Sequence, residues 1–401
     1  MLYSYQQTAL QEISNHNKGL ITIPTGGGKT VVFMSDAKNR IAEAKELITF
    51  VIVAPRILLA NQLADEFQQF LTDESIYISH VHSGENGTTK AEKIQVQSMI
   101  AKAQNQHHLI FTTYHSLDKV NESGIDIDVA YFDEAHHSVK PSHNVGVAHT
   151  SKVADSAYFF TATPKSKMTQ DYEVYGNHIV SVSAKELISA GTILSPEVEV
   201  YEFDTVRTKH NAATVDADNV AGIVSQIENN APKILVAAPS TKIIWESLTQ
   251  SNLMSELNEM GYTVMHITSK HGAYINKLKV NREKFFHHLS QLGDDENTKV
   301  IVFHHSILGE GINVPGLTHC IMLRNLPTIE MLQTIGRVIR IAKNDRKKLM
   351  NGELKPGQFH MYSKQCGKVI IPVSTGYGKA TQKKLQSLVN VVFEQGETVF
   401  C

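Results

Sequence analysis

Cysteine is scarce in this chain: only Cys320, Cys366 and Cys401 occur among 401 residues, and they lie far apart. Such spacing fits neither a disulfide framework nor a zinc site, so a reducing, cytoplasmic setting is expected. Long apolar runs are missing too. None approaches the ~18 residues that a membrane helix requires. The opening Met1-Leu2-Tyr3-Ser4-Tyr5-Gln6 lacks a basic segment leading into an apolar one, so it is not expected to be a signal peptide. Net charge is nearly absent, at −2, so the composition does not advertise a polyanion as partner. Low-complexity tracts and short repeats are also lacking. What remains is ordinary for a soluble globular protein, with 42% apolar and 19% charged residues. The length suits two domains, each with its own core.

Near the start, the apolar run Gly19-Leu20-Ile21-Thr22-Ile23 leads into Pro24-Thr25-Gly26-Gly27-Gly28-Lys29-Thr30, after which a helix can begin. Strand, glycine loop and helix in this order cradle a triphosphate. Glycines let successive backbone N–H groups face phosphate oxygens, and the helix N-terminus adds partial positive charge. Thr25, Gly26, Gly27 and Gly28 form the cradle, Lys29 reaches the β- and γ-phosphates, and the Thr30 hydroxyl binds Mg²⁺. The loop departs from G-x-x-x-x-G-K-[ST], since Ile23 occupies the first glycine position. About a hundred residues on, the strand 129–132 delivers Asp133-Glu134-Ala135-His136. Asp133 is expected to hold Mg²⁺, and Glu134 to position and deprotonate the attacking water. His136 and His137 lack the further ligands of a zinc site, and His136 is expected to hydrogen-bond across a domain interface. Near the far end, Arg337 and Arg340 stand three apart, which on a helix gives them one face. Apolar neighbours argue that this helix is packed, with the arginines stabilising charge on a γ-phosphoryl group.

Apolar β-rich runs recur at 20–23, 49–53, 108–112, 129–132 and 157–161, with helix-like segments such as 57–70 and 91–103 among them. Short apolar strands alternating with helices indicate an α/β fold with mainly parallel sheets covered on both faces. In such sheets ligands sit at the carboxyl ends of the strands. A second series at 233–238, 262–267, 299–304 and 318–323 indicates a second unit without a nucleotide loop of its own. The helix-like 185–190, stopped by Gly191 and Pro196, sets the boundary, giving domains 1–190 and 191–401. The polar segment 205–219 reads as a mobile loop, and 380–393 as an amphipathic helix in a C-terminal extension. Residues 343–384 are rich in Lys and Arg, including Lys347 and Lys348; this stretch reads either as a nucleic-acid face or as solvated surface.

These residues together resemble a superfamily 2 helicase or translocase of the DEAH/DExH-box type, over nearly the whole chain. Residues 24–30 resemble motif I, 133–136 motif II, and Gln333-Thr334-Ile335-Gly336-Arg337-Val338-Ile339-Arg340 motif VI. The resemblance implies two RecA-like domains of the P-loop NTPase class, with ATP and Mg²⁺ in the cleft between them. It implies adenine reading by Gln6, catalytic roles for Lys29, Glu134, Gln333, Arg337 and Arg340, and motif III at Thr161-Ala162-Thr163. Thr161 and Thr163, with His136, then couple ATP to movement. Pro55 and Arg56 resemble motif Ia, Thr112 and Thr113 the strand-contacting motif Ib region, and Ser240 falls where motif IV belongs, all implied nucleic-acid contacts. Residues 309–315 resemble motif V, implying a nucleotide contact at Gly311 and coupling by Asn313, which stands where the family more often has Asp. Asn keeps the hydrogen bonds but loses the charge. The chain looks similar to the motors of restriction enzymes, XPB-type repair helicases and phage recombination helicases. That leans towards DNA, single-stranded or branched duplex, in repair, recombination or fork remodelling. RNA remodelling is the alternative.

Overall fold

The computed structural model describes residues 2–72, 74–305 and 314–400. The chain divides into two compact units, one ending at Ser183 and taking in the chain from Thr398 onward, the other Ala184–Glu397. The helix Ala184–Ser189, which the sequence reading sets before the boundary, therefore belongs to the second unit.

The first unit carries seven strands: β1 (Lys18–Thr22), β2 (Thr49–Ala54), β3 (Ile76–Val81), β4 (His107–Thr113), β5 (Val129–Phe132), β6 (Ser156–Thr161) and β7 (Asn177–Ser181). They form one sheet in the order β3-β4-β2-β5-β6-β1-β7. Every pairing in it is parallel. Its central strands β2, β5 and β6 are buried throughout, which is why they read as unbroken apolar runs. Phe132 and Phe159 stack across neighbouring strands with centroids 4.5 Å apart. The two edge strands, β3 and β7, are only partly buried, and their mixed composition gave no apolar signal.

In the second unit, β8 (Pro196–Glu202), β9 (Lys233–Ala237), β10 (Tyr262–Thr268), β11 (Gly272–Ile275), β12 (Leu278–Val280), β13 (Lys299–His304), β14 (His319–Met322) and β15 (Gly367–Val373) form a second sheet. Its order is β12-β11-β10-β13-β9-β14-β15-β8. Only the β10-β11-β12 edge is antiparallel. The α/β reading with mainly parallel sheets thus holds in both units.

Two local expectations are corrected. The segment 205–219 is not a free loop: helix Ala212–Val224 begins inside it, and buried Asp216 accepts both Nε (2.6 Å) and Nη2 (2.9 Å) of Arg207. The Arg207 guanidinium also lies 4.2 Å from the centre of the Tyr377 ring. Helix 380–393 is instead Lys379–Leu388, continuing as a π-helical stretch Val389–Gln395. No described helix is long and apolar enough to cross a membrane.

Candidate nucleotide-binding site

The glycine loop leaves the carboxyl end of β1 as the sequence implies. Ile23 N still donates to Thr161 O (3.1 Å), and Gly27 N closes a turn on Pro24 O (3.0 Å). Gly26 and Gly28 take left-handed backbone angles, φ +90° and +78°. Gly28 then caps the helix Lys29–Glu43 without any side-chain cap, so the first N–H groups of a four-turn helix are left for a ligand. A Cβ at Gly28 would stand 2.6 Å from Gln6 Nε2. Gln6 is buried, accepts from Tyr3 N (3.0 Å) and donates to Gly27 O (3.3 Å), while Tyr5 Oη donates to the same carbonyl at 2.7 Å. Here Gln6 braces the loop, and its amide is engaged within the protein.

Lys29 is buried, its ammonium 3.4 Å from Ile23 O and 3.9 Å from Glu134 Oε1. Asp133 and Glu134 follow β5 at the same end of the sheet. Glu134 sits at φ +46°, a bend that turns the chain into the short helix Ala135–His137. Burial and then the neighbouring Glu134 push the Asp133 carboxyl up to about 7, against the pull of the Lys29 charge. Glu134 Oε2 is buried without a hydrogen-bond partner. The pair is short of positive charge, which suits a site for a divalent cation shared with phosphate. Among the described residues no group of three or more His, Cys, Asp or Glu could hold a metal alone.

His136 is drawn down to about 3, first by burial and then by the charges of Lys165, Lys29 and Lys140, so it is neutral. Its Nδ1 lies 3.2 Å from Thr161 Oγ1 and 3.4 Å from Glu134 Oε2. Thr161 Oγ1 in turn accepts from Thr163 N at 3.1 Å. His136 thereby links motif II to motif III within the first unit.

In the second unit, Gln333 and Arg337 are buried on helix Thr328–Val338. Contrary to the expectation from the three-residue spacing, Arg340 does not share that helix. It lies beyond the helix end, in an isolated antiparallel bridge with Ile193. Ser240 caps the helix Thr241–Thr249, accepting from Ile243 N at 3.1 Å. Gly311 and Asn313 lie outside the described residues.

The motif Ib threonines are a correction. Thr112 is fully buried and donates to Val81 O (2.8 Å), and buried Thr113 donates to Ser116 Oγ (3.3 Å). Neither presents a hydroxyl to a strand. Arg56 is exposed at the start of helix Ile57–Phe70, with Pro55 before it. A loop that the sequence reading missed packs beside them. His82 Nε2 contacts Asn61 Oδ1 (2.9 Å), His82 Nδ1 accepts from Gly84 N (3.2 Å), and a Cβ at Gly84 would lie 2.9 Å from Ile57 Cγ2. Its one sequence signal is the pair Gly84 and Gly87, legible only once β3 is recognised.

Residues 1–166 match the family described as "Type III restriction enzyme, res subunit", and residues 219–342 match "Helicase conserved C-terminal domain". The chain belongs to the superfamily 2 helicases. Members of this family are ATP hydrolases built from two RecA-like units, and the two sheets here have that form. Among curated proteins, "Putative helicase 22" of Sulfolobus islandicus filamentous virus (isolate Iceland/Hveragerdi) is 21% identical over 365 residues, covering 84% of this chain and 60% of its own length. Among solved structures, the "ATP-dependent Type ISP restriction-modification enzyme LlaBIII bound to DNA" aligns with TM-score 0.73 at 17% identity, covering 98% of this chain but 30% of that one. Mycobacterium smegmatis helicase Lhr bound to ssDNA and AMP-PNP gives 0.60 at 16%, covering 100% and 49%. S. cerevisiae Dbp5 bound to RNA and ADP BeF3 gives 0.59 at 15%, covering 100% and 90%. These distant likenesses concern the fold. The chain spans 60% of the viral helicase and 30% of the restriction enzyme.

Proposed function

We propose that this chain is an ATP-driven helicase or translocase acting on DNA. The observation that carries the reading is the convergence of Lys29, Asp133 and Glu134 beside an uncapped helix N-terminus, with Lys29 3.9 Å from Glu134. Backbone N–H groups of Gly26, Gly28 and Lys29 and the Lys29 ammonium hold the phosphates, and Thr30 and Asp133 hold Mg²⁺. The cation's part is to offset phosphate charge. Glu134 orients and deprotonates water, and Gln333, Arg337 and Arg340 are the residues assigned to the charge developing on the γ-phosphoryl group. The two units, parted near Ser183, divide these tasks. The neutral His136 and the Thr161–Thr163 pair relay the state of the carboxylates along β6. Movement follows if the ATP-bound and ATP-free states grip the strand differently.

DNA is favoured because the restriction enzyme and Lhr neighbours are described as bound to DNA. The Dbp5 neighbour bound to RNA supports an RNA-remodelling alternative. Repair, recombination and fork remodelling are the roles within reach of such a motor. ATPase rates measured side by side with ssDNA, duplex, forked DNA and RNA decide between them: stimulation by a DNA form is expected, and stimulation by RNA alone overturns the DNA reading.

A further inference from the structure

Lys364 belongs by sequence to the basic stretch 343–384, yet its ammonium does not face solvent. It donates to three backbone carbonyls: Leu317 O (2.5 Å), Val338 O and Arg340 O (2.8 Å). An ammonium has three donors and no acceptor, so its capacity is filled. Val338 ends the helix that carries Arg337, Arg340 stands two residues past it, and Leu317 lies two residues beyond Pro315 of motif V. The lysine's own backbone is pinned in turn. Asp345, buried, accepts from Ser363 N (2.9 Å) and Ser363 Oγ (2.7 Å), with Lys364 N at 3.4 Å.

We propose that Lys364 is a positioning residue for motif VI: it gathers the carbonyls at the end of the arginine helix and at the end of motif V, and so fixes the backbone from which Arg337 and Arg340 project. Carbonyls at a helix C-terminus lack intrahelical donors, and a cation there is favourable. This ammonium supplies both needs. Arg340 lies beyond the helix, so no helical hydrogen-bond ladder holds it. The bridge to Ile193 and the bond from Lys364 hold its backbone. Burial draws the Lys364 ammonium down to about 7, the price of placing a charge among backbone carbonyls with no carboxylate bound to it among the described residues. A surface lysine would satisfy none of these geometric conditions.

The inference rests on the reading that Arg337 and Arg340 act in ATP hydrolysis, and its test is built to separate the two. In the full-length chain with saturating DNA, Lys364→Met is expected to lower kcat at least tenfold while KM and the Kd for ATP stay within twofold. Amide hydrogen exchange at 338–341 is expected to speed up. In an Arg340→Ala background, Lys364→Met is expected to lower kcat by a clearly smaller factor, because one of the two arginines it positions is gone. A merely structural lysine would give the same fold-loss in both backgrounds. Should Lys364→Met fail to fold, Lys364→Gln, which retains two donors, takes its place with a smaller loss of kcat. Full kcat in the folded variant, or an equal loss in the Arg340→Ala background, overturns the inference. An inactive wild type, or an Arg340→Ala protein with unchanged kcat, overturns the functional reading and this inference with it.

Discussion

The ammonium of Lys29 and a carboxylate oxygen of Glu134 stand 3.9 Å apart, although 105 positions separate them in the chain. One comes from the turn after β1, the other from the turn after β5, and the parallel sheet brings both turns to the same end. A phosphate bound at the glycine loop therefore competes with Glu134 for Lys29. The same ammonium that holds nucleotide also restrains the group that acts on water. Separate substitutions should resolve the two tasks.

Lys29→Ala is expected to weaken ATP binding and hydrolysis together. Glu134→Gln keeps the shape but cannot take up a proton, so binding should persist while turnover falls by about 10²–10⁴. Nucleotide-binding titrations beside steady-state ATPase assays check both. Turnover by Glu134→Gln near the wild-type rate would remove Glu134 as base.

Arg337→Ala and Arg340→Ala are each expected to lower kcat by roughly 10³ or more, as for other arginines that stabilise a transferring phosphoryl group. Affinity for ATP at the first unit's loop should change little. Single-turnover hydrolysis with binding measured separately reads this directly.

Gly28→Ala should strain the loop twice. The left-handed backbone at φ +78° costs on the order of 1–3 kcal/mol for a residue with a side chain. The new Cβ also meets Gln6 Nε2 at 2.6 Å. Adding Gln6→Ala removes the clash but not the backbone cost, so thermal unfolding should show partial recovery. Equal midpoints for the single and double variants would mean the two residues do not press on one another.

Stability should fall in acid. Burial draws His266 and His319 down to about 4 and His304 to about 3. In the unfolded chain they protonate near 6.5, so below that pH the unfolded state binds more protons. The stabilisation is complete above pH ~6.5 and is lost as pH falls towards the folded values, by about 1.4 kcal/mol per pH unit per histidine. His266→Phe keeps a ring against Tyr274 and should make the pH dependence of the unfolding midpoint shallower. An unchanged slope would contradict the assignment.

Nucleic-acid affinity should weaken with log[salt], with a modest slope for a chain of net charge −2. Within the basic stretch, Lys364, Lys368 and Lys384 are engaged with Arg340 O, Glu199 and Leu326 O, whereas Lys347 and Lys348 are exposed. Reversing the charge of those two should reduce affinity and slope alike if they meet phosphates. No change in either would make them ordinary solvated surface.

Local chemistry that is written in consecutive residues was legible without a structure. Gly26-Gly27-Gly28-Lys29-Thr30 after an apolar run and Asp133-Glu134 after another follow from short-range pattern, because central strands of a parallel sheet are continuously apolar, and the buried character of Arg337 follows from the apolar residues around it on its helix. Edge strands β3 and β7 escaped because a half-exposed strand carries no such run. Contacts between distant segments escaped for a different reason: whether a hydroxyl or an ammonium faces solvent depends on which carbonyl the fold brings beside it. Thr112 turns inward onto Val81, Gln6 onto Gly27, and Lys364 onto Arg340. The sequence determined which groups exist and at which strand ends they emerge. Tertiary packing decided which of them remain free to act, because a buried polar atom must find a partner within the fold before it can serve a ligand.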